Sequence, residues 1–414
     1  MRYFLFLVVL SAACHTSTVS TERTSLPPPE FLPTTFAVEG FDWDSIPYPT
    51  TQQIREYVLP ARGAQYAAWS YAALGQTDST YALWDRHQTG SREIEPRHRD
   101  TMRRYAQSVA ALDYLLERAE DERLLIVNEG HHVPQHRVFT TQLLRGLYDR
   151  GYRNFGLEAF FEPADSLLRA QGYPNVTMGF YTKEPRFGEL LREATRLGYR
   201  VFGYDAGGTD GPAQREAGQA ENIERYLRQY PEGKTLIHCG FDHALEGEMG
   251  GAWEYAMAER VKQNTGIDPL TINQTDQTER SRRELEHPYR QLANVNVPTV
   301  FLDASYQPLG KRRGATHSDV LVFHPRTDPA RVRPQWLTYG TRKVVSLDLS
   351  GVPFAPPYLV FAYPETEAIG SAVPYDLRET TARRVDLVLT PGTFRIVVQR
   401  ANGTAVVSTV TVEK

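Results

Sequence analysis

The chain has only two cysteines among its 414 residues, Cys14 and Cys239. Small exported domains commonly use several disulfides in place of a large hydrophobic core. Because Cys14 lies close to the N-terminus, the rest of the chain has one cysteine and no partner for it. The fold must therefore depend on its core, and a chain of this length is long enough to form one.

Several common catalytic signatures are also absent. The sequence has no G-x-S-x-G turn, no H-E-x-x-H helix, no Walker loop and no G-x-G-x-x-G turn. These absences argue against a serine hydrolase, a zincin, an NTPase and a dinucleotide-dependent enzyme. Positive charge is not in excess either, since the formal net charge is −4, and we therefore expect no nucleic-acid partner.

Long apolar runs are scarce, and the clearest one is N-terminal. The segment MRYFLFLVVLSAACHTS is shorter than the ~20 apolar residues that a membrane-spanning helix needs, so residues 1–14 are predicted to be an export signal. Ser11, Ala12 and Ala13 before Cys14 resemble a bacterial lipobox. That resemblance predicts a lipoprotein anchored at Cys14 in the cell envelope. Ordinary signal-peptidase cleavage near the same position is the alternative.

Composition and periodicity divide the remaining chain into four parts. Residues 15–42 are rich in Thr, Ser and Pro, which predicts a tether. Residues 43–120 have a helical pattern, clearest where apolar residues recur at three- and four-residue spacing. Those residues are Met102, Tyr105, Val109, Leu112 and Leu116.

Residues 121–340 alternate short apolar strands with helical segments. The strands are LLIV, NFGLEAF, YRVFGYD, KTLIHCG, PLTINQ, TVFLDA and DVLVFH. This alternation predicts a Rossmann-like α/β domain with a mostly parallel sheet covered on both faces. Residues 341–414 instead show alternating β-branched residues with turns at Pro391-Gly392 and Asn402-Gly403, which predicts a small antiparallel, β-sandwich-like domain.

Polar residues suited to chemistry follow four of the predicted strands. They are Glu129 and His132 after the first strand, Glu158 after the second, Asp205 after the third and His243 after the fourth. Ligands bind at the carboxyl ends of the strands in open α/β sheets, so we expect these residues to share one rim. A carboxylate beside an imidazole can orient the ring and raise its basicity, so Glu129 and His132 predict a general base for water.

The remaining candidates each allow two interpretations. Glu158 could bind a metal or hold a second imidazole, and Asp205, which precedes two glycines, could instead form a turn. Arg137 and Arg215 could bind a substrate anion or form salt bridges with Glu158 or Glu216. His131 and His136 are expected to support the site from behind or to face solvent. His238 and Cys239 are expected to be core residues, with Cys239 as a nucleophile the less favoured choice.

These residues resemble motifs of the erythromycin esterase-like superfamily, which includes the ChaN-like haem-binding lipoproteins and the Tiki and TraB proteins. The resemblance covers residues 124–271 and comprises Glu129 with His132, Glu158 after Leu157, Gly240 with His243, and Arg215, Glu216 and Asn222. Asn128 stands where the family usually has Gly before the motif Glu, so a macrolide substrate is not implied.

The resemblance implies a hydrolase of ester or amide bonds acting on a small molecule or a peptide. His132 would be the general base, Glu129 its partner, Glu158 and His243 would complete the site, and Arg215 would stabilise developing negative charge. If a divalent metal is bound, the implied ligands are Glu129, His132, Glu158 and His243.

The alternative is a haem- or iron-binding lipoprotein without catalysis. In that case His132, His243 or Tyr204 would ligate the iron, and aromatic residues near the rim would stack on the porphyrin. The aromatic candidates are Phe160, Phe161, Tyr181 and Phe241.

Overall fold

A computed structural model describes residues 30–32, 47–160, 163–207, 211–401 and 403–414. The predicted signal segment with Cys14, most of the predicted tether, Phe161 and Asn402 lie outside these ranges. Within them, no helix is both long and apolar enough to cross a membrane.

The centre of the fold is a six-stranded sheet in which every neighbouring pair of strands is parallel. Its strands lie in the order β6-β5-β1-β4-β2-β3. Every residue of β1 is buried, as expected for a parallel sheet covered on both faces. The predicted α/β class is therefore confirmed. The strands are β1 (Leu124–Glu129), β2 (Tyr152–Leu157), β3 (Arg200–Gly203), β4 (Lys234–Gly240), β5 (Leu270–Asn273) and β6 (Val320–Leu321).

Helices surround this sheet and precede it in the chain. A helical segment begins at Thr51–Gln53, passes through a π-helical turn at Ile54–Val58 and continues as α1. Shorter 3₁₀ turns lie at Phe241–Ala244, Arg283–Leu285 and Gln335–Leu337. The helices are α1 (Leu59–Ala73), α2 (Thr77–Trp84), α3 (Pro96–Arg104), α4 (Ala111–Arg118), α5 (Pro134–Asp149), α6 (Ala164–Gln171), α7 (Pro185–Leu197), α8 (Pro212–Gln229), α9 (Met257–Thr265) and α10 (Pro288–Leu292).

Alternate residues of β1 pack against helices on opposite faces of the sheet. On one face, Leu125 and Val127 share a core with apolar residues of α5 and α7. On the other face, Leu124 and Ile126 share a core with residues of α8 and α9. Because both faces are covered, the carboxyl ends of the strands are the part of the sheet that remains open to loops.

The helical pattern of residues 102–116 is only partly formed. Helix α3 ends at Arg104, and a strand at Gln107–Ala110 pairs antiparallel with Thr299–Leu302 before α4 begins. The continuous helix predicted through Tyr105 and Val109 is therefore wrong, because pairing with a distant strand overrides a weak local preference. The predicted strand TVFLDA belongs to this pair and not to the central sheet.

The C-terminal part has two facing sheets, which gives it a sandwich-like architecture. Its strands are β7 (Lys343–Asp348), β8 (Tyr358–Pro364), β9 (Asp376–Thr380), β10 (Arg384–Leu389), β11 (Gly392–Gln399) and β12 (Ala405–Val412). One sheet has the order β9-β8-β11-β12, and β7 pairs with β10 in the other. Leu347 and Leu387 share a core with Val360 and Ile396 across the gap.

Glu30–Leu32 adds a third strand beside β7, pairing in parallel with residues 345–347. These residues fall within the predicted tether, where no strand was expected. Two further short pairs join Glu248–Gly250 to Glu254–Tyr255 and Lys311–Arg313 to Thr316–Ser318.

Helix α1 connects the C-terminal domain to the central sheet. Its buried residues Ala67 and Tyr71 pack against Phe361 and Val397 of the four-stranded sheet. The same helix carries Trp69, whose ring contacts that of His131 beyond the end of β1. The N-terminal helices therefore form one wall of the region where the candidate residues lie.

Candidate active site

The structure brings three of the predicted residues to one place. Glu129 is the last residue of β1, Glu158 directly follows β2, and His243 lies in the 3₁₀ turn after β4. These strands are neighbours in the order β1-β4-β2. Glu129, Glu158 and His243 are 1%, 4% and 6% exposed. Two carboxylates and an imidazole are thus nearly removed from water at one end of the sheet.

Glu129 is held by a fully buried arginine of α5. The Nε and Nη2 of Arg137 donate to the two carboxylate oxygens at 2.6 and 2.7 Å, and its Nη1 donates to Glu184 at 2.9 Å. Burial alone would raise the pKa of Glu129, but Arg137 and then His238 hold this pKa well below its usual value. Glu129 is therefore ionised. One of the two interpretations of Arg137 was a salt bridge with Glu158 or Glu216. Arg137 does form salt bridges, but its partners are Glu129 and Glu184.

The imidazole beside Glu129 belongs to His131. Its Nδ1 lies 3.0 Å from Oε1 of Glu129, and its ring stacks on Tyr181 at 4.0 Å between centroids. The Cε1–Nε2 edge of the ring lies close to Gly240, where an added Cβ would be 2.5 Å from Nε2. The same Cβ would lie 3.1 Å from Oε2 of Glu158. His131 therefore sits between the two carboxylates.

The predicted pair of Glu129 with His132 is not formed. The His132 ring stacks on Trp84 of α2 at 3.7 Å, and neither ring nitrogen has a hydrogen-bond partner among the described residues. Burial, followed by the charge of Arg280, lowers the pKa of His132 well below its usual value. His132 is thus a neutral ring, and Trp84 covers one of its faces. His131, expected to lie behind the site or in solvent, takes its place.

Glu158 connects β2 to β4 and to α8. Its Oε2 accepts from the backbone N–H of Gly240 at 2.6 Å, and its Oε1 accepts from Nη2 of Arg215 at 2.7 Å. Nε2 of His243 lies 3.3 Å from the same Oε1. Burial would raise the pKa of Glu158, but His243 holds this pKa well below its usual value. Glu158 is therefore a paired carboxylate, in line with its role as a holder of a second imidazole.

His243 lies between two carboxylates. Its Nδ1 is 2.7 Å from Oε1 of Glu216, whose other oxygen accepts from the backbone N–H of Met257 at 2.7 Å. Burial lowers the pKa of His243, but Glu158 and then Glu216 outweigh it and raise the pKa to about 10. The ring is consequently an imidazolium at neutral pH.

Arg215 is the most accessible cation of the cluster, with a side chain 33% exposed. Its Nε and Nη2 each donate to Asp205 at 3.0 Å, and Gln219 donates to the same carboxylate at 2.7 Å. Burial lowers the pKa of Arg215, but hydrogen bonding to Asp205 and the charge of Glu158 raise it above its usual value. Asp205 is therefore a charge partner of Arg215, and Arg215 forms the salt bridge with Glu158 that one of its two interpretations expected.

Asn128, directly before Glu129 in β1, connects two loops at the end of the sheet. Its side-chain Nδ2 donates to the carbonyl of Phe241 at 2.7 Å, and its Oδ1 accepts from the backbone of Gln274 at 2.7 Å. Phe241 has a φ of 41°, a left-handed conformation that is uncommon for a residue with a side chain. Asn128 thus holds the turn that carries the chain from β4 to His243.

The other sequence candidates are buried supports. His238 is 2% exposed, and its Nε2 lies 3.6 Å from Oε2 of Glu129. Burial lowers the pKa of His238 to about 4. Burial also raises the pKa of the Cys239 thiol well above its usual value, so Cys239 behaves as a core residue. His136 accepts from the backbone N–H of Gly130 at 3.0 Å and helps to shape the turn. Tyr204 donates to the carbonyl of His238 at 3.1 Å.

A cavity of about 160 Å³ adjoins His131. Tyr66 and Trp69 of α1, together with Phe180 and Tyr181, form an aromatic wall around it. The sequence did not predict Tyr66, Trp69 or Phe180 as site residues, because they come from regions without a catalytic motif. The only signal in the sequence that could have indicated this cavity was the presence of aromatic residues near the ends of the predicted strands.

The donor atoms do not fit the expected metal site. Among the described residues, no group of three or more His, Cys, Asp and Glu side chains is placed to hold a metal ion. Arg137 takes both oxygens of Glu129, and a backbone N–H and Arg215 take those of Glu158. These cations would oppose a divalent ion. The expected set of Glu129, His132, Glu158 and His243 therefore does not converge.

The expected iron ligands do not fit haem either. His132 is 3% exposed beneath Trp84, both nitrogens of His243 face carboxylates, and Tyr204 is buried with its hydroxyl bonded. The aromatic cavity of about 160 Å³ is smaller than the ~300–1,000 Å³ of ordinary ligand pockets.

No family model and no curated protein matches the chain. Among solved structures, the type III effector HopBA1 is 17% identical and the match covers 39% of this chain and 81% of that one, with a TM-score of 0.27. A structure described as bacterial protein toxins is 16% identical over 53% and 46% of the two chains, with a TM-score of 0.32. RRSP, a MARTX toxin effector domain from Vibrio vulnificus CMCP6, is 14% identical over 66% and 51%, with a TM-score of 0.31. The chain spans about half the length of the last two, and likeness at this level carries no argument about function.

Proposed function

We propose that the protein is a hydrolase of ester or amide bonds in which His131 is the general base. The observation that carries this proposal is the buried series from Arg137 through Glu129 to Nδ1 of His131. A carboxylate that accepts from one ring nitrogen fixes the tautomer and leaves the other nitrogen as a proton acceptor. His131 is also one of the residues that line the aromatic cavity, so a substrate bound there would lie next to its ring.

The first step uses water as the nucleophile. Nε2 of His131 takes a proton from a water molecule while the water oxygen bonds to the carbonyl carbon of the substrate. Glu129 stabilises the resulting imidazolium through Nδ1–H, and Arg137 keeps Glu129 ionised throughout. The tetrahedral intermediate then collapses. The bond to the leaving oxygen or nitrogen breaks, and the leaving group receives the proton from His131.

His243 and Arg215 would stabilise the negative charge that develops on the carbonyl oxygen. Both are cations held in place by Glu158, and Arg215 is the partly exposed one. Preorganised cations in a site with little water are among the strongest contributors to rate enhancement. Glu158 is thus a positioning residue, because it acts through the two cations. No step in this scheme passes through a metal or a haem.

The proposed setting is the bacterial cell envelope. A lipid anchor at Cys14, if formed as the N-terminal sequence predicts, would hold the hydrolase at a membrane surface facing small-molecule or peptide substrates. The erythromycin esterase-like resemblance supports hydrolysis in this setting. In this proposal the general base is His131 and not His132, the residue that the resemblance implied.

The experiment is a rate measurement with a panel of aryl esters and peptide amides, using the wild type and the Glu129→Gln variant. Wild-type turnover above the uncatalysed rate is expected for at least one substrate. Glu129→Gln should lower kcat by about 10²-fold or more, since the amide cannot balance the imidazolium charge. Absence of turnover across the panel, or an unchanged kcat in the variant, contradicts the proposal.

A further inference from the structure

The aromatic cavity beside His131 has a volume that can hold one six-membered ring. Its volume of about 160 Å³ is close to the ~150 Å³ of an engineered apolar cavity that binds benzene. Tyr66, Trp69 and Phe180 contact one another, with ring centroids 5.0 to 5.3 Å apart, and form one wall of the cavity. Two of the three contacts are edge-on, an arrangement that aromatic rings favour. The walls therefore suit a flat apolar ring.

Two cations line the same cavity without a carboxylate partner. Within the described part of the chain, neither Arg62 nor Lys183 forms a salt bridge, and each lies instead over an aromatic ring, at 5.7 Å from Tyr66 and 5.9 Å from Phe180. The acidic residue of the lining, Glu184, is already paired with Arg137. Burial and then Arg62 lower the pKa of Lys183 from its usual value. An anion here would offset the repulsion between these two cations.

We propose that this cavity binds an aromatic ring that bears a carboxylate and presents it beside His131. Trp69 and Phe180 would contact the ring, and Lys183 with Arg62 would bind the carboxylate. The role of the cavity as a substrate subsite rests on the proposed hydrolase, whereas ligand binding does not. The substrate class is then an ester or amide with a carboxylate-bearing aryl group on one side of the scissile bond.

The direct test is calorimetric titration of the full chain with benzoate and with benzamide, its neutral counterpart of equal size. Benzoate should bind at least about tenfold more tightly than benzamide, since ~1.4 kcal/mol corresponds to tenfold. Lys183→Met should abolish this preference, and Trp69→Ala, which removes part of the cavity wall, should weaken the binding of both ligands. Arg103→Met, which removes an exposed cation of α3, is the control and should change nothing. Equal binding of both ligands, or a preference that survives Lys183→Met, overturns the assignment.

Hydrolysis assays distinguish a failure of the cavity assignment from a failure of the proposed hydrolase function. We expect KM for 4-carboxyphenyl acetate to be lower than that for phenyl acetate, and Lys183→Met to remove this difference in KM. Benzoate binding without hydrolysis of any ester overturns the proposed function and supports the cavity assignment. Hydrolysis of both esters with equal KM, together with no preference for benzoate, supports the hydrolase and overturns the cavity assignment.

Discussion

Replacing Arg137 by Gln should destabilise the protein more than most single changes. Arg137 has no exposed surface and donates three hydrogen bonds to the carboxylates of Glu129 and Glu184. Removing one partner of such a pair leaves the other charge buried, which costs about 3–5 kcal/mol. Glutamine can restore only part of the hydrogen bonding. We expect the free energy of unfolding to fall by an amount in that range.

The variant should also reverse the pH dependence that Glu129 contributes. In the wild type the folded pKa of Glu129 lies below its unfolded value, so its stabilisation is complete above about pH 4.3 and is lost as the pH falls through the folded pKa. Without Arg137, burial dominates and raises the folded pKa. The destabilisation then grows as the pH rises above about 4.3, so the variant should gain stability between pH 7 and pH 5.

Urea denaturation of the wild type, Arg137→Gln and the double variant Glu129→Gln/Arg137→Gln, at pH 5 and pH 7, measures both effects. The double variant removes the buried charge and should recover much of the loss, because a site without either charge is far less costly than one unpaired ion. A loss below about 1 kcal/mol in Arg137→Gln, or the same pH dependence in all three proteins, refutes the reasoning.

Three further predictions concern the same site. Gly240→Ala should lower kcat by about 10²-fold, because the new Cβ would lie 2.5 Å from Nε2 of His131; Gly207→Ala, with nothing within 4 Å, is the control in the same rate assay. The stabilisation from His243, complete below its unfolded pKa of about 6.5, should be lost as the pH rises through its folded pKa of about 10. In Glu216→Gln that loss should be smaller and should be complete at a lower pH in a denaturation series, and an unshifted profile would argue against this ion pair. Cys239→Ala should retain full turnover and lose only ~1–2 kcal/mol of stability, whereas loss of turnover in a folded variant would make the thiol a nucleophile.

Local patterns predicted the central sheet because its strands and helices have strong periodicity. Strands β1, β2 and β4 and helices α5, α7, α8 and α9 all lie where apolar spacing places them. The strand Gln107–Ala110 was not predictable in this way, because its partner Thr299–Leu302 is far along the chain. The strand Glu30–Leu32 depends in the same way on β7.

The sequence predicted which strand ends meet, but it did not predict which of two adjacent histidines lies beside Glu129. The rule that strand ends meet at one edge correctly brought Glu129, Glu158 and His243 together. It could not choose between His131 and His132, because that choice depends on Trp84. Trp84 belongs to α2, which precedes the sheet in sequence and whose packing no motif reports. The aromatic cavity was missed for the same reason.

The most direct test of the central claim compares kcat/KM of His131→Ala and His132→Phe for one ester that the wild type hydrolyses. Phenylalanine at position 132 keeps a ring against Trp84, so this variant should retain turnover within about tenfold. His131→Ala should lose about 10²- to 10⁴-fold, the usual contribution of a general base. Full activity in His131→Ala with loss in a folded His132→Phe would contradict the account and return the base to His132.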